Sequence, residues 1–212
     1  MRETVSNTRL PDGHRLAATV TTFDPSAGCA MKIFLSTVVA VLLIMVLGGI
    51  FFIYSGSYDV AATSRDPGIV RWAVRITRIN SINRRAEKVV PPAESFLKDP
   101  ETIRTGFEHY DAMCVVCHGA PGVEAGEARA GLNPRPPLLA EIKGNLPLGV
   151  VFRAVKHGIK MTGMPAWGPT HSDDEIWALV AFVDKLTRLS PEDYQGLRQQ
   201  WRDHGGEVHH EQ

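Results

Sequence analysis

The sequence predicts a helical protein with a membrane span near its N-terminus, and three stretches carry that prediction. Ile33 to Tyr54 reads IFLSTVVAVLLIMVLGGIFFIY, 22 residues with no ionisable group before Tyr54. Asp99-Pro100-Glu101 places a capping residue before a proline at the first helical position. Ser172-Asp173-Asp174-Glu175 is a capping box, after which Ile176, Leu179, Val180 and Val183 recur at helical spacing. With 212 residues the chain has room for one ordinary domain, or a smaller domain plus an appendage, which excludes large multidomain enzymes. Its 23 basic and 23 acidic residues cancel, which argues against a nucleic-acid binder and against an acidic disordered tail protein.

At 1.5 Å per residue, residues 33–54 make about 33 Å of helix, enough to cross a hydrocarbon core of about 30 Å. A soluble helix of this length would carry a polar stripe, yet Ser36 and Thr37 are its only hydroxyl residues before Tyr54. The length favours a retained anchor over a cleaved signal peptide, whose apolar core is shorter. Residues 1–32 are polar and show no apolar periodicity, so no packed domain is expected there. Met31-Lys32, directly before the apolar run, is the expected start of translation. Cys29 follows no apolar stretch and reads as incidental rather than as a lipoprotein cysteine. Arg15 and Lys32 on one side, against Arg65, Arg71 and Arg75 on the other, leave the orientation open on charge alone.

Residues 55–98 form a basic connector. Within it, Ile69, Trp72, Ala73, Ile76 and Ile79 fall on one helical face, and Arg71, Arg75, Arg78 and Arg85 on the opposite one. Such a helix either lies on anionic lipid with Trp72 at headgroup depth or packs on the downstream domain or a partner subunit. Val89-Val90-Pro91-Pro92 ends it as a stiff spacer.

The helix entered at Asp99 runs on through ETIRTGFEHYDAMC into Cys114-Val115-Val116-Cys117-His118, the CxxCH pattern of covalent c-type haem attachment. Two thiols a helical turn apart suit thioether bonds to the two vinyl groups, with the adjacent imidazole placed under the iron. A thioredoxin-like CxxC would follow a strand, and a structural zinc site needs a second ligand pair, whereas no cysteine follows Cys117. Gly163-Met164-Pro165-Ala166-Trp167-Gly168 is a loop 46 residues beyond His118, and its thioether makes Met164 the candidate sixth ligand. Met161 is a rival. His109, His157 and His171 read as surface or hydrogen-bonding residues. A carbonyl of the NPRPP stretch is expected to accept the other ring N–H of His118.

Over residues 99–188 the chain resembles the monohaem class I c-type cytochromes, particularly bacterial forms that share a domain type with the c-type subunits of terminal oxidases. The matching elements are the helix with Gly106 and Tyr110, CVVCHG, LNPRPPLL, HGIKMTGMPAWG and DDEIWALVAFVDKL. The resemblance implies an all-α cytochrome c fold wrapped around one covalent haem c, with its first and last helices crossing at Gly106. In the family pattern the methionine ligand directly precedes proline, which selects Met164 as iron ligand with His118, while Pro137 fits the carbonyl position best and Pro136 is close behind. Residues 99–190 are then the cytochrome domain, and residues 191–212 a terminal helix from Ser190-Pro191-Glu192 to about His204 followed by a polar tail with His209 and His210. Trp177 and Phe182 read as core or haem-edge aromatics.

Histidine and methionine together leave iron no open position, so one-electron transfer is expected rather than catalysis. The expected protein is a membrane-tethered electron carrier between respiratory redox partners. Because bacteria attach haem c outside the cytoplasmic membrane, the resemblance implies a single-pass protein with its haem domain in the periplasm. The alternatives are an electron-accepting subunit of a dehydrogenase or oxidase complex, and a haem-based sensor or small peroxidase. The zero net charge is itself a cancellation: residues 1–54 sum to +1, residues 55–98 to +4 and residues 99–212 to −5. A basic collar and an acidic domain are therefore expected, with partner docking that weakens as salt is added.

Overall fold

The structure, a computed structural model, describes residues 25–142 and 146–203. The polar stretch through residue 24, the side chain of Cys29, and His204, His209 and His210 lie outside the described residues. The chain divides into two units, the first ending at Asp59 and the second beginning at Val60. Among the described residues every regular element is helical.

In the first unit, α1 spans Pro25–Tyr54, so the helix begins before the apolar run does. Its segment Ala30–Tyr54 is long and apolar enough to cross a membrane. Its serine and threonine hydroxyls are satisfied within the helix: Ser36 Oγ and Thr37 Oγ1 each donate to the carbonyl of Ile33 at 2.9 Å. Neither of these two hydroxyls has to find water, as an apolar surrounding requires.

The second unit holds α2 (Gly68–Ala86), α3 (Glu94–Lys98) and α4 (Pro100–His109), then a π-turn (Tyr110–Cys114) that runs into α5 (Val115–His118). After these come α6 (Ala128–Gly131), a 3₁₀ turn (Leu139–Glu141), α7 (Leu148–His157), α8 (Asp173–Leu186) and α9 (Pro191–Asp203). Local chemistry accounts for the helix starts. The Asp99 carboxylate accepts the backbone N–H of Thr102 at 2.9 Å, with Pro100 at the first helical position. Ser172 and Glu175 close a reciprocal capping box on α8. Ser190 and Asp193 exchange the same pair of bonds at the start of α9.

The core is centred on α8, from which Ile176, Leu179, Val180, Phe182, Val183 and Leu186 are all buried. The α4 helix crosses it with Gly106 at the contact. A Cβ on Gly106 would lie 2.0 Å from the Ala178 carbonyl oxygen and 2.8 Å from Phe182 Cβ, so only glycine lets the two backbones approach this closely. Around the crossing, Phe107 meets Phe182 and Tyr194 edge-on at 5.5 and 5.6 Å. The α7 helix packs on the other side, where Phe152 stacks on Trp177 at 4.2 Å.

Two elements depart from the sequence expectation. The helix before the motif does not continue as an α-helix: it widens into the π-turn at Tyr110. The α2 helix, which packs on α7, half-buries Val70, Val74, Ser81 and Ile82 rather than the stripe of Ile69, Trp72 and Ile76, and Arg78 from the expected polar face is half-buried. Hydropathy pattern identified an apolar face correctly but not the face used inside the domain.

Replacing Gly106 with alanine should raise helix propensity by about 1 kcal/mol and lose more than that to overpacking. Thermal unfolding should show Gly106→Ala destabilised by about 2 kcal/mol net.

Candidate functional site

The π-turn does local work just ahead of the CxxCH sequence. By adding a residue to the turn it directs Tyr110 and Asp111, adjacent in sequence, both into the interior. Tyr110 donates its hydroxyl to the carbonyl of Gly119 at 2.6 Å, tying the start of the turn to the residue just after His118. Asp111 is held from the other side by α9. Tyr194 donates to Oδ1 at 2.7 Å, and Arg198 Nε lies 3.2 Å from Oδ1 and 3.4 Å from Oδ2. This pair is buried, and Arg198 Nη2 has no hydrogen-bond partner. Burial and the Asp111 charge push the Tyr194 hydroxyl far above its ordinary pKa, so it stays a donor.

Within the motif, Cys114 is buried and Cys117 half-buried, both as free thiols. Burial, and then the neighbouring Cys117, push the Cys114 thiol up to about 12. A thiol held protonated in this way does not suit a thioredoxin-type nucleophile. The described residues also contain no cluster of three or more His, Cys, Asp or Glu able to hold a metal ion.

His118 Nδ1 lies 2.8 Å from the carbonyl oxygen of Pro137. A carbonyl only accepts, so the ring proton sits on Nδ1 and the lone pair on Nε2. Burial lowers the pKa of His118, the bond to Pro137 raises it, and the charge of Arg129 lowers it again, with a net shift downward. The imidazole is thus neutral, oriented and able to offer Nε2 to a metal. Arg129 Nε donates to the carbonyl of Pro136 at 3.1 Å, bracing the peptide next to the one that orients His118.

The methionine loop is fastened to the end of α7. The Trp167 and Gly168 N–H groups donate to Val155 and Lys156, and Ile159 N–H donates to the Met164 carbonyl at 3.1 Å. Met164 N–H donates to Thr162 Oγ1 at 3.1 Å. The two methionines differ in setting: Met164 is half-buried against the core, whereas Met161 is 77% exposed with a positive φ of 59°. Leu132 joins this loop to the proline stretch, since a Cβ on Gly163 would lie 2.4 Å from Leu132 Cδ2. Residues 132–137 therefore touch the methionine loop at one end and His118 at the other. Met113, Leu139, Leu148, Val151, Met164 and Trp167 pack on the core yet remain partly exposed. Together with two free thiols and an oriented neutral imidazole, this apolar surface fits a large apolar prosthetic group with a metal at its centre.

Sequence reasoning missed the Asp111–Tyr194–Arg198 cluster and the brace from Arg129. Tyr194 and Arg198 stand four residues apart on one face of α9, which was the available signal. The burial of that face against Asp111 was not visible, because the two partners are more than 80 residues apart in sequence.

Residues 101–183 match the family described as cytochrome C oxidase, cbb3-type, subunit III. The stretch is a cytochrome c domain similar to the c-type subunits of oxidases, and such a domain implies haem c and electron transfer. A search of curated proteins finds no match to the chain.

Two measurements follow from the site. Asp111→Asn leaves Arg198 buried without a counter-charge and should cost about 3 kcal/mol, while Tyr194→Phe should cost about 1 kcal/mol, both read by denaturant unfolding. The second concerns His109, whose ring meets His171 edge-on at 5.1 Å. Burial, then the charge of His171, hold its pKa below 6.5, outweighing the opposite pull of Glu175. Below 6.5 the unfolded chain takes up a proton that the folded one refuses, so this contribution to stability is full above that pH and declines as pH falls toward the folded value. His109→Gln should flatten the fall in stability between about pH 7 and pH 5.

Proposed function

We propose that the protein is a membrane-tethered c-type cytochrome that passes single electrons between respiratory redox partners on the periplasmic face of a bacterial cytoplasmic membrane. Cys114 and Cys117 would hold one haem c through thioether bonds, and His118 and Met164 would ligate its iron. The observation that carries this reading is the Pro137 carbonyl 2.8 Å from His118 Nδ1, which leaves Nε2 as the basic nitrogen in a CxxCH segment. When bound, haem c supplies one-electron oxidation and reduction.

The chain's own part is to orient and exclude. Pro137 fixes the tautomer and ring plane of His118, and the bonds from Tyr110 and to Asp111 hold the motif's turn still. The fastened loop presents Met164 from a half-buried position, which supports it over exposed Met161. Little has to rearrange in such a frame when charge moves by one unit, as fast electron exchange requires. The α1 segment Ala30–Tyr54 supports the tether. Haem attachment outside the cytoplasm, as in bacterial c-type cytochromes, supports the periplasmic side.

The family match with an oxidase subunit favours a second reading, in which the domain accepts electrons as a subunit of a dehydrogenase or oxidase complex. Native copurification from membranes with haem staining separates the two: a larger complex carrying the stain supports the subunit, and a lone band of chain mass the carrier.

The ligand assignment is tested by substitution. The wild type should give a haem stain that survives denaturing electrophoresis, and Cys117→Ala should weaken or abolish it. Exchanging the soft thioether in Met164→His should lower the reduction potential by about 0.2 V, part of the roughly 0.8 V that axial ligands span. Met161→Leu should leave the potential unchanged in the same redox titration. Loss of the high potential in Met161→Leu instead would reassign the ligand.

A further inference from the structure

The α2 helix shows two faces. One, carrying Val70, Val74 and Ser81, packs in the domain, and the other, about 130° round at 3.6 residues per turn, carries Ile69, Trp72, Ala73 and Ile76. That outer strip is bare: Ile69 is 68% exposed, Trp72 61%, and Ile76 and Ile79 37% each. Arginines border it on both edges, Arg71 and Arg75 along one side and Arg84 along the other. The helix contains no acidic residue.

We infer that this face of α2 is a docking surface for an anionic lipid bilayer, with the Ile69–Trp72–Ile76 strip seated at the headgroup boundary. The inference rests on the proposed membrane anchor. Three observations commit the face to lipid. An apolar strip with an indole, flanked by arginines whose long stems let the charged heads reach phosphate, is the arrangement of an interfacial helix. Charge complementarity is one-signed, since Arg71, Arg75 and Arg84 along the strip meet no carboxylate on the helix itself. Finally, only residues 55–67 separate the end of α1 from the start of α2, a reach of at most about 45 Å, so a bilayer crossed by α1 stays within range of α2. A redox partner covering the strip would have to bury the arginine edges too, and an anionic lipid surface neutralises them as it does so. Seated in this way, α2 gives the cytochrome domain one defined face toward lipid and leaves its other faces for partners.

The test uses the full-length, haem-loaded protein in nanodiscs, with the photocrosslinker benzoylphenylalanine placed singly at Trp72, at Ile76 or, as a report on the anchor, at Leu43, and adducts read by mass spectrometry. In discs containing phosphatidylglycerol, lipid adducts are expected at all three positions. In pure phosphatidylcholine, or with Arg75→Glu and Arg84→Glu together, the yield at Trp72 and Ile76 should fall severalfold while that at Leu43 holds. Lipid adducts at Leu43 with none at Trp72 or Ile76 would overturn the docking surface alone, as would adducts there to another copy of the chain or to a copurified protein. No lipid adduct at any of the three positions would overturn the anchor and the docking surface together.

Discussion

At Gly106 the backbone of α4 lies directly against the Ala178 carbonyl of α8, and that contact sets the geometry of everything downstream of it. With no side chain between them, the two helices bring Phe107, Phe182 and Tyr194 into one aromatic cluster. Four residues beyond the crossing, α4 gives way to the π-turn at Tyr110. In that turn Asp111 meets Tyr194 and Arg198, which satisfy it, and Tyr110 meets the Gly119 carbonyl. The CxxCH segment that follows thus leaves the crossing with its orientation already decided.

A second constraint comes from the size of the domain. Few residues surround α8, so much of the apolar surface contributed by α7, the methionine loop and the 3₁₀ turn is only half-covered. A small domain gains stability by taking a large apolar group into its core. The proline stretch makes that economical in chain length, since residues 132–137 reach both the methionine loop, through Leu132, and His118, through the Pro137 carbonyl. A shift in this one segment would move both candidate ligands, whereas a shift in a surface loop elsewhere would move neither.

Charge follows the same division of labour. The basic surplus is concentrated in residues 55–98 and the acidic surplus in residues 99–212. Neutrality of the whole therefore describes no part of it. Electrostatic attraction from such segregated charge acts over about a Debye length, roughly 8 Å at physiological ionic strength, so it orients close encounters more than distant ones.

The sequence by itself determined whatever depends on local chemistry. The caps at Asp99 and Ser172, the apolar run ending at Tyr54, the thiol pair with its adjacent imidazole and the helical spacing on α8 are all short-range patterns, and the structure carries each of them. The expectation that a carbonyl of the proline stretch accepts from His118 came with the resemblance, which put Pro137 first and Pro136 as neighbour. Only the tertiary structure decided which face of α2 meets the domain, because an apolar stripe states a preference for leaving water without saying what covers it. It also decided that α9 belongs against the motif's turn: the partners of Asp111, Tyr194 and Arg198, arrive from more than 80 residues away. The same holds for the π-turn, since Tyr110 and Asp111 both turn inward to partners at Gly119, Tyr194 and Arg198 that the helix's own spacing does not show. Local patterns are fixed by backbone and side-chain chemistry within a few residues, whereas these three features depend on which groups compete for the same buried space.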